Sequence, residues 1–118
     1  MAPTRELASQ IGDVVTDLGH YLKIRVYVLI GGTDFKEDVS VLKSGVQLIV
    51  GTPGKVYAMV KKGYFKTDFL KLFIMDEADE LLSSDFKSQI QDIFCFLPKE
   101  VQIALFSATM PPKVLEIT

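Results

Sequence analysis

Hydrophobic positions along the chain fall into segments of two alternating kinds. Leu7, Ile11, Val14, Val15, Leu18 and Leu22 recur at helical spacing and predict one apolar stripe. Ile24–Ile30 ("IRVYVLI") is rich in β-branched residues, stops at Gly31-Gly32 and predicts a strand. "TDFKEDVSVL" predicts a helix with Phe35, Val39 and Leu42 on one face, and "QLIVG" a short strand. "TPGKVYAMVKKG" offers Thr52 as N-cap, Pro53 at the first helical position and Gly63 past the end. "KLFIM" predicts another strand. "FKSQIQDIFCFL" predicts a helix with Phe86, Ile90, Ile93, Phe94 and Leu97 inward, "VQIALF" a last clear strand, and "PPKVLEIT" the start of one more helix.

Strands alternating with helices predict an α/β domain, an open parallel sheet with helices on both faces. In such sheets ligands sit beyond the carboxyl ends of the strands. The unusual polar residues fall at those ends: Gly31-Gly32-Thr33, Gly51-Thr52-Pro53-Gly54, Asp76-Glu77 and Ser107-Ala108-Thr109. "APTRE" opens a helix in the same way, as if a strand had just ended. Five junctions are therefore expected on one rim.

Composition narrows what that rim can do. At 118 residues and 48% hydrophobic, the chain suits one folded domain. Its apolar runs are too short to span a membrane, and no signal peptide is recognisable. The formal net charge of −2 opposes binding of nucleic acid by bulk charge, so any such binding must use placed groups. The single cysteine, Cys95 in "IFCFL", is expected to be buried and inert, and His20 to sit at a helix end. Neither is expected in catalysis.

"IVGTPGKV" looks at first like a phosphate loop for a nucleotide. That loop needs G-x-x-x-x-G-K followed by Ser or Thr, and here Ile49 and Val56 occupy the first and last of those places. "LFIMDEAD" is an apolar strand ending in carboxylates. Asp76 could hold magnesium bound to nucleotide phosphates, and Glu77 could orient or deprotonate an attacking water. Asp76, Glu77, Asp79 and Glu80 also suit a helix N-terminus, but four carboxylates in five residues repel and suggest a cation nearby. Ser107 and Thr109 could bond a carboxylate such as Asp79, or could cap the next helix. "PTRE", "GGT" and "GTPGK" each place Gly or Pro with Thr before a helix, where free N–H groups bind phosphate oxygens without base preference. Arg5 and Lys55 would add charge. Plain capping and turn chemistry explains any one of the three taken alone.

"PTRELA", "GG", "TPGK", "DEAD" and "SAT", in this order, resemble a DEAD-box RNA helicase over essentially the whole chain. Within that family "IGGTDFKEDV", "IVGTPGKV" and "SATMPPKVLEIT" are most similar to the translation initiation factor 4A branch. The resemblance implies an incomplete RecA-like fold over residues 1–118, from the first RNA-binding motif through SAT. No Walker A loop and no second RecA-like domain are matched. It implies that Asp76 and Glu77 serve Mg2+ (through water) and ATP, and that Asp79 with Ser107, Ala108 and Thr109 couples nucleotide to RNA. It assigns RNA backbone contacts to Pro3, Thr4, Arg5, Glu6, Gly31, Gly32, Thr52, Pro53, Gly54 and Lys55. Lys55 stands where the family usually has arginine, which keeps the charge and loses the fork. The expected activity is that of a full-length monomer that binds single-stranded or short duplex RNA and couples ATP hydrolysis to opening short duplexes, with this chain alone inactive. A HEAT-repeat initiation-factor scaffold is the implied protein partner, and a cytoplasmic site, or a nuclear one, the implied location. The alternative is a non-catalytic module that binds RNA or docks on a scaffold. A dinucleotide domain is set aside because G-x-G-x-x-G is missing.

Overall fold

The structure is a computed structural model that describes residues 1–112; the helix expected over "PPKVLEIT" lies almost wholly outside the described residues. Helix α1 (Arg5–Leu18) is followed by a short 3-10 turn (His20–Leu22), β1 (Val26–Leu29) and α2 (Phe35–Ser44). Then come β2 (Leu48–Gly51), α3 (Pro53–Lys61), β3 (Leu72–Asp76), α4 (Ala78–Leu81), α5 (Lys87–Phe94) and β4 (Gln102–Phe106).

The strands form two parallel pairs, β1 with β2 and β3 with β4. Met1 and Ala2 join the pairs. The Met1 amino group donates to the Ile74 carbonyl (2.8 Å), the Met1 carbonyl accepts from Asp76 N–H (3.0 Å), and Ala2 N–H donates to the Gly51 carbonyl (3.0 Å). These are the bonds of a parallel bridge. All four strand ends therefore face one rim, as the sequence predicts.

Side-chain alternation divides the interior between two faces. Tyr27, Leu29, Ile49, Phe73, Met75 and Leu105 belong to the larger core, with Leu42 of α2, Val56, Met59 and Val60 of α3, and Ile90 and Ile93 of α5. Val26, Val28, Leu48 and Val50 point to the opposite face, where α1 covers them through Ala8, Leu7 and Ile11. Gly12 lets α1 approach: a Cβ there would stand 2.4 Å from Val28 Cγ2.

Three expectations need correction. Only part of the predicted α1 stripe is covered: Leu7 and Ile11 pack on the sheet beside the buried Ala8 and Gly12, whereas Val14, Leu18 and Leu22 are exposed. Over β3 and β4 one face alone is covered among the described residues; Leu72, Ile74 and Phe106 are 44%, 41% and 58% exposed. Cys95 is exposed, because the period that buries Ile90 and Ile93 turns position 95 outward. Among the described residues no helix is long and apolar enough to cross a membrane.

Candidate RNA- and nucleotide-facing rim

Three of the junctions line one groove of about 480 Å³: Pro3 and Arg5, then Gly31, then Thr52, Pro53, Gly54 and Lys55. Thr4 caps α1, its hydroxyl accepting from Leu7 N–H at 3.2 Å, so its side chain does ordinary capping work. The Arg5 and Glu6 amides are left free at that helix start. Arg5 reaches across to the glycine pair, because a Cβ on Gly32 would stand 3.1 Å from Arg5 Nη2. Gly32 has φ +86°, a conformation that costs other residues strain.

Thr52 behaves differently from Thr4. It occupies the N-cap place of α3 but its hydroxyl caps nothing. With Pro53 lacking an N–H, the unpaired amides of this turn are those of Gly54 and Lys55. The groove is completed by Ala58 of α3 and by Phe86 and Gln89 beside and within α5. Sequence reasoning missed Phe86 and Gln89 as site residues. No motif marks them; the packing of α5 against α3 brings them there.

A third missed residue is Asp38, which is fully buried yet charged. Its carboxylate accepts from the Tyr27 hydroxyl, lies 2.8 Å from Thr33 Oγ1, and pairs with the Lys55 ammonium at 2.8 Å. Burial alone would raise its pKa. The bonds from Lys55, Tyr27 and Thr33 and the lysine charge outweigh burial and hold it below the usual carboxylate value. Removing either partner of such a pair leaves a buried charge unmatched, at a cost of about 3–5 kcal/mol.

At the other end of the rim, Asp76 terminates β3 and its Oδ1 accepts from Glu77 N–H at 2.9 Å. Glu77 has φ 50°, ψ 52°, a left-handed conformation in a non-glycine residue, which costs about 1–2 kcal/mol. This sharp turn lets the chain leave the strand and start α4 at once. Strain held at such a point is a mark of function when the observation comes first. Asp79 lies in α4, half-buried. Thr109 donates its hydroxyl to Asp79 Oδ2 at 2.5 Å, and Asp79 N–H and Thr109 N–H both donate to Ser107 Oγ at 3.3 Å. Thr109 and Ser107 together lower the Asp79 pKa. The expected contact between DEAD and SAT is present; Ala108 is the exposed residue between the two hydroxyls.

No group of three or more His, Cys, Asp or Glu poised to hold a metal exists among the described residues. The donor set still suits magnesium. That ion keeps several waters and needs only one or two carboxylates beside phosphate oxygens. Asp76 supplies a hard oxygen at a strand end, with Glu77 next to it.

A family model described as DEAD/DEAH box helicase matches residues 1–117. The chain belongs to this family. It is 58% identical over 118 residues to the ATP-dependent RNA helicase eIF4A of Candida albicans and 57% identical to that of Meyerozyma guilliermondii. Against Eukaryotic initiation factor 4A of Drosophila melanogaster the identity is 54%. Each match covers all of this chain but only 30%, 30% and 29% of the relative. Among solved structures, a variant of S. cerevisiae Dbp5 bound to RNA and ADP BeF3 superposes with TM-score 0.85 at 33% identity, over 99% of this chain and 29% of that one. A second Dbp5 structure, bound to Nup159, Gle1, IP6 and ADP, gives TM-score 0.84 at 33% identity, covering 98% and 30%. The α/β fold with parallel strands is thus the RecA-like fold of this family.

Proposed function

We propose that this chain supplies the RNA-gripping face and the magnesium- and water-directing carboxylates of an ATP-dependent RNA helicase of the initiation factor 4A type. The observation that carries this reading is the single rim. Pro3, Arg5, Gly31 and Thr52–Lys55 share one groove, and Asp79 is bonded to Thr109 further along the same edge. In the groove, backbone amides at helix starts meet phosphate oxygens of one RNA strand, so binding is independent of base sequence. Thr4 and Glu6 shape the first of these turns, and Gly32 the second. At the carboxylate end, Asp76 would hold Mg2+ through water, the ion offsetting the charge of the ATP phosphates, and Glu77 would orient the attacking water and take its proton. Asp79, through Ser107 and Thr109, ties the helix after Asp76 and Glu77 to the segment leaving β4. A change at the nucleotide is thereby felt along the RNA rim.

The work of the whole protein is unwinding short RNA duplexes in translation initiation, in the cytoplasm, as a monomer on a helical-repeat scaffold. The identity to eIF4A relatives supports that assignment. The 118-residue chain alone turns over no ATP on this reading. The test is ATPase activity with and without RNA, for this chain and for the full-length protein that carries it. RNA-stimulated turnover by the full-length protein, abolished by Asp76→Asn, is the expected result. Stoichiometric turnover by the 118-residue chain, or an active Asp76→Asn protein, refutes the assignment.

A further inference from the structure

The basic side chain of the Thr52–Lys55 turn does not stand free. Its ammonium is 2.8 Å from Asp38 Oδ2, with the Lys55 side chain 15% exposed and that of Asp38 fully buried. The Phe35 ring lies 5.9 Å from the same ammonium and closes another side. The carboxylate also receives the Tyr27 hydroxyl and lies 2.8 Å from that of Thr33. One buried group thus ties β1, the loop carrying the glycine pair, α2 and the first turn of α3. A lysine placed to neutralise a phosphate would keep its ammonium in solvent, whereas this one is already matched by a carboxylate.

The geometry points to Asp38 and Lys55 as a clamp that fixes the Gly31–Thr33 loop against the first turn of α3, so that backbone amides, and not the Lys55 ammonium, meet the RNA phosphates. This rests on the RNA-binding reading above and refines the part Lys55 plays in it. Both are positioning residues. Their charges cancel, so the pair releases no counterions when RNA binds. The two roles for Lys55 predict opposite signs for one substitution. If Lys55 bound phosphate directly, Asp38→Asn would free its charge and tighten RNA binding. As a clamp member, Asp38→Asn loosens both loops and weakens it.

The experiment uses the full-length protein carrying this chain, with the affinity for a labelled single-stranded RNA measured at several salt concentrations. Amide hydrogen exchange without RNA is followed alongside. Lys55→Met and Asp38→Asn should each weaken binding about tenfold, within the range of mutations that act on a site through others. The salt slope should not change, and exchange should quicken at the hydrogen-bonded amides beside the two loops, Lys36 and Asp38 after the glycine pair and Thr52 and Val56 around the first turn of α3. The double variant D38L/K55M replaces the pair by apolar groups of similar volume and should bind better than either single variant. A salt slope reduced by about 0.7 in Lys55→Met marks a lost phosphate contact and overturns the clamp. Tighter binding by Asp38→Asn, or unchanged exchange at those amides, does the same. If the single variants do not fold, the double variant decides by its slope. If the unaltered protein binds no RNA, the proposed function falls, and exchange at those amides still decides the clamp.

Discussion

Gly31→Ala separates what the fold requires from what a ligand requires. A Cβ built on Gly31 meets nothing within 4 Å, and the residue does not have the positive φ of its neighbour Gly32. The fold therefore has no use for a glycine here. Alanine should leave stability unchanged or raise it by up to about 1 kcal/mol, through the restricted unfolded chain. The new methyl would project into the groove shared with Arg5 and Gly54, where the proposed phosphate must approach the backbone. Losing one hydrogen bond to a charged oxygen costs about 1.5–3 kcal/mol, or roughly 10- to 150-fold in affinity. Denaturant melts give the first quantity, and anisotropy of a labelled single-stranded RNA gives the second. Gly51→Ala is the contrasting control. Its Cβ would stand 2.5 Å from Val56 Cγ2 and 2.7 Å from the Leu29 carbonyl oxygen, so the fold should lose about 1–3 kcal/mol. A destabilised Gly31→Ala protein, or one that binds RNA normally, refutes the reasoning.

Glu77→Gln should cut RNA-stimulated kcat by about 10²–10⁴-fold if Glu77 moves the proton of the attacking water. Glu77→Gly should be equally inactive yet more stable by about 1 kcal/mol, since glycine removes the left-handed strain; a less stable Glu77→Gly protein disproves that strain. Thr109→Val removes the hydroxyl bonded to Asp79 at 2.5 Å and keeps the shape. It should leave ATP binding intact and reduce RNA stimulation of the ATPase about tenfold, and full stimulation would show the bond to be merely structural. For Asp38 the folded pKa lies below 3.8, so its stabilising contribution is complete above that value and is lost as pH falls through the folded pKa. Lys55→Met strips the strongest partner and leaves burial to raise that pKa. Acid unfolding of the variant should begin at higher pH than in the unaltered protein, and superimposable pH profiles would count against the pair.

Much of this arrangement was legible in the residues. Alternation of β-branched runs with 3.6-residue periods located the strands, and the rule that ligands sit at strand ends drew attention to one rim. The bond between Asp79 and Thr109 is the contact expected between the DEAD and SAT segments. What escaped had physical reasons. Asp38 shares a helical face with Phe35, Val39 and Leu42, so periodicity already turned it inward. A buried aspartate makes sense only beside Lys55, Tyr27 and Thr33, which lie 17, 11 and 5 positions away in the chain. Phe86 and Gln89 enter the groove because α5 packs on α3, a long-range event with no local signal. Cys95 was misread because two flanking phenylalanines looked like a core, although the spacing of Ile90 and Ile93 already turned it outward. The face of β3 and β4 was misread because apolar runs in strands show a capacity for burial and do not show what lies against them.

The two ends of the rim differ in mechanical character, and the difference matches the two tasks proposed for them. At Asp38 a buried carboxylate is matched by Lys55 and bonded to groups from several elements, so the amide-bearing loops are held before any RNA arrives. Such preorganisation lowers the ordering entropy that binding would otherwise cost. Around Asp76 the chain is strained at Glu77, α4 is four residues long, and Asp79 is tied to the exposed Thr109 by one short hydrogen bond. That end can change its arrangement by exchanging a few bonds at low cost. An RNA-stimulated ATPase needs this asymmetry. A grip that deformed with each nucleotide would lose its strand, and a catalytic turn as rigid as the Asp38 cluster could not report the strand's presence.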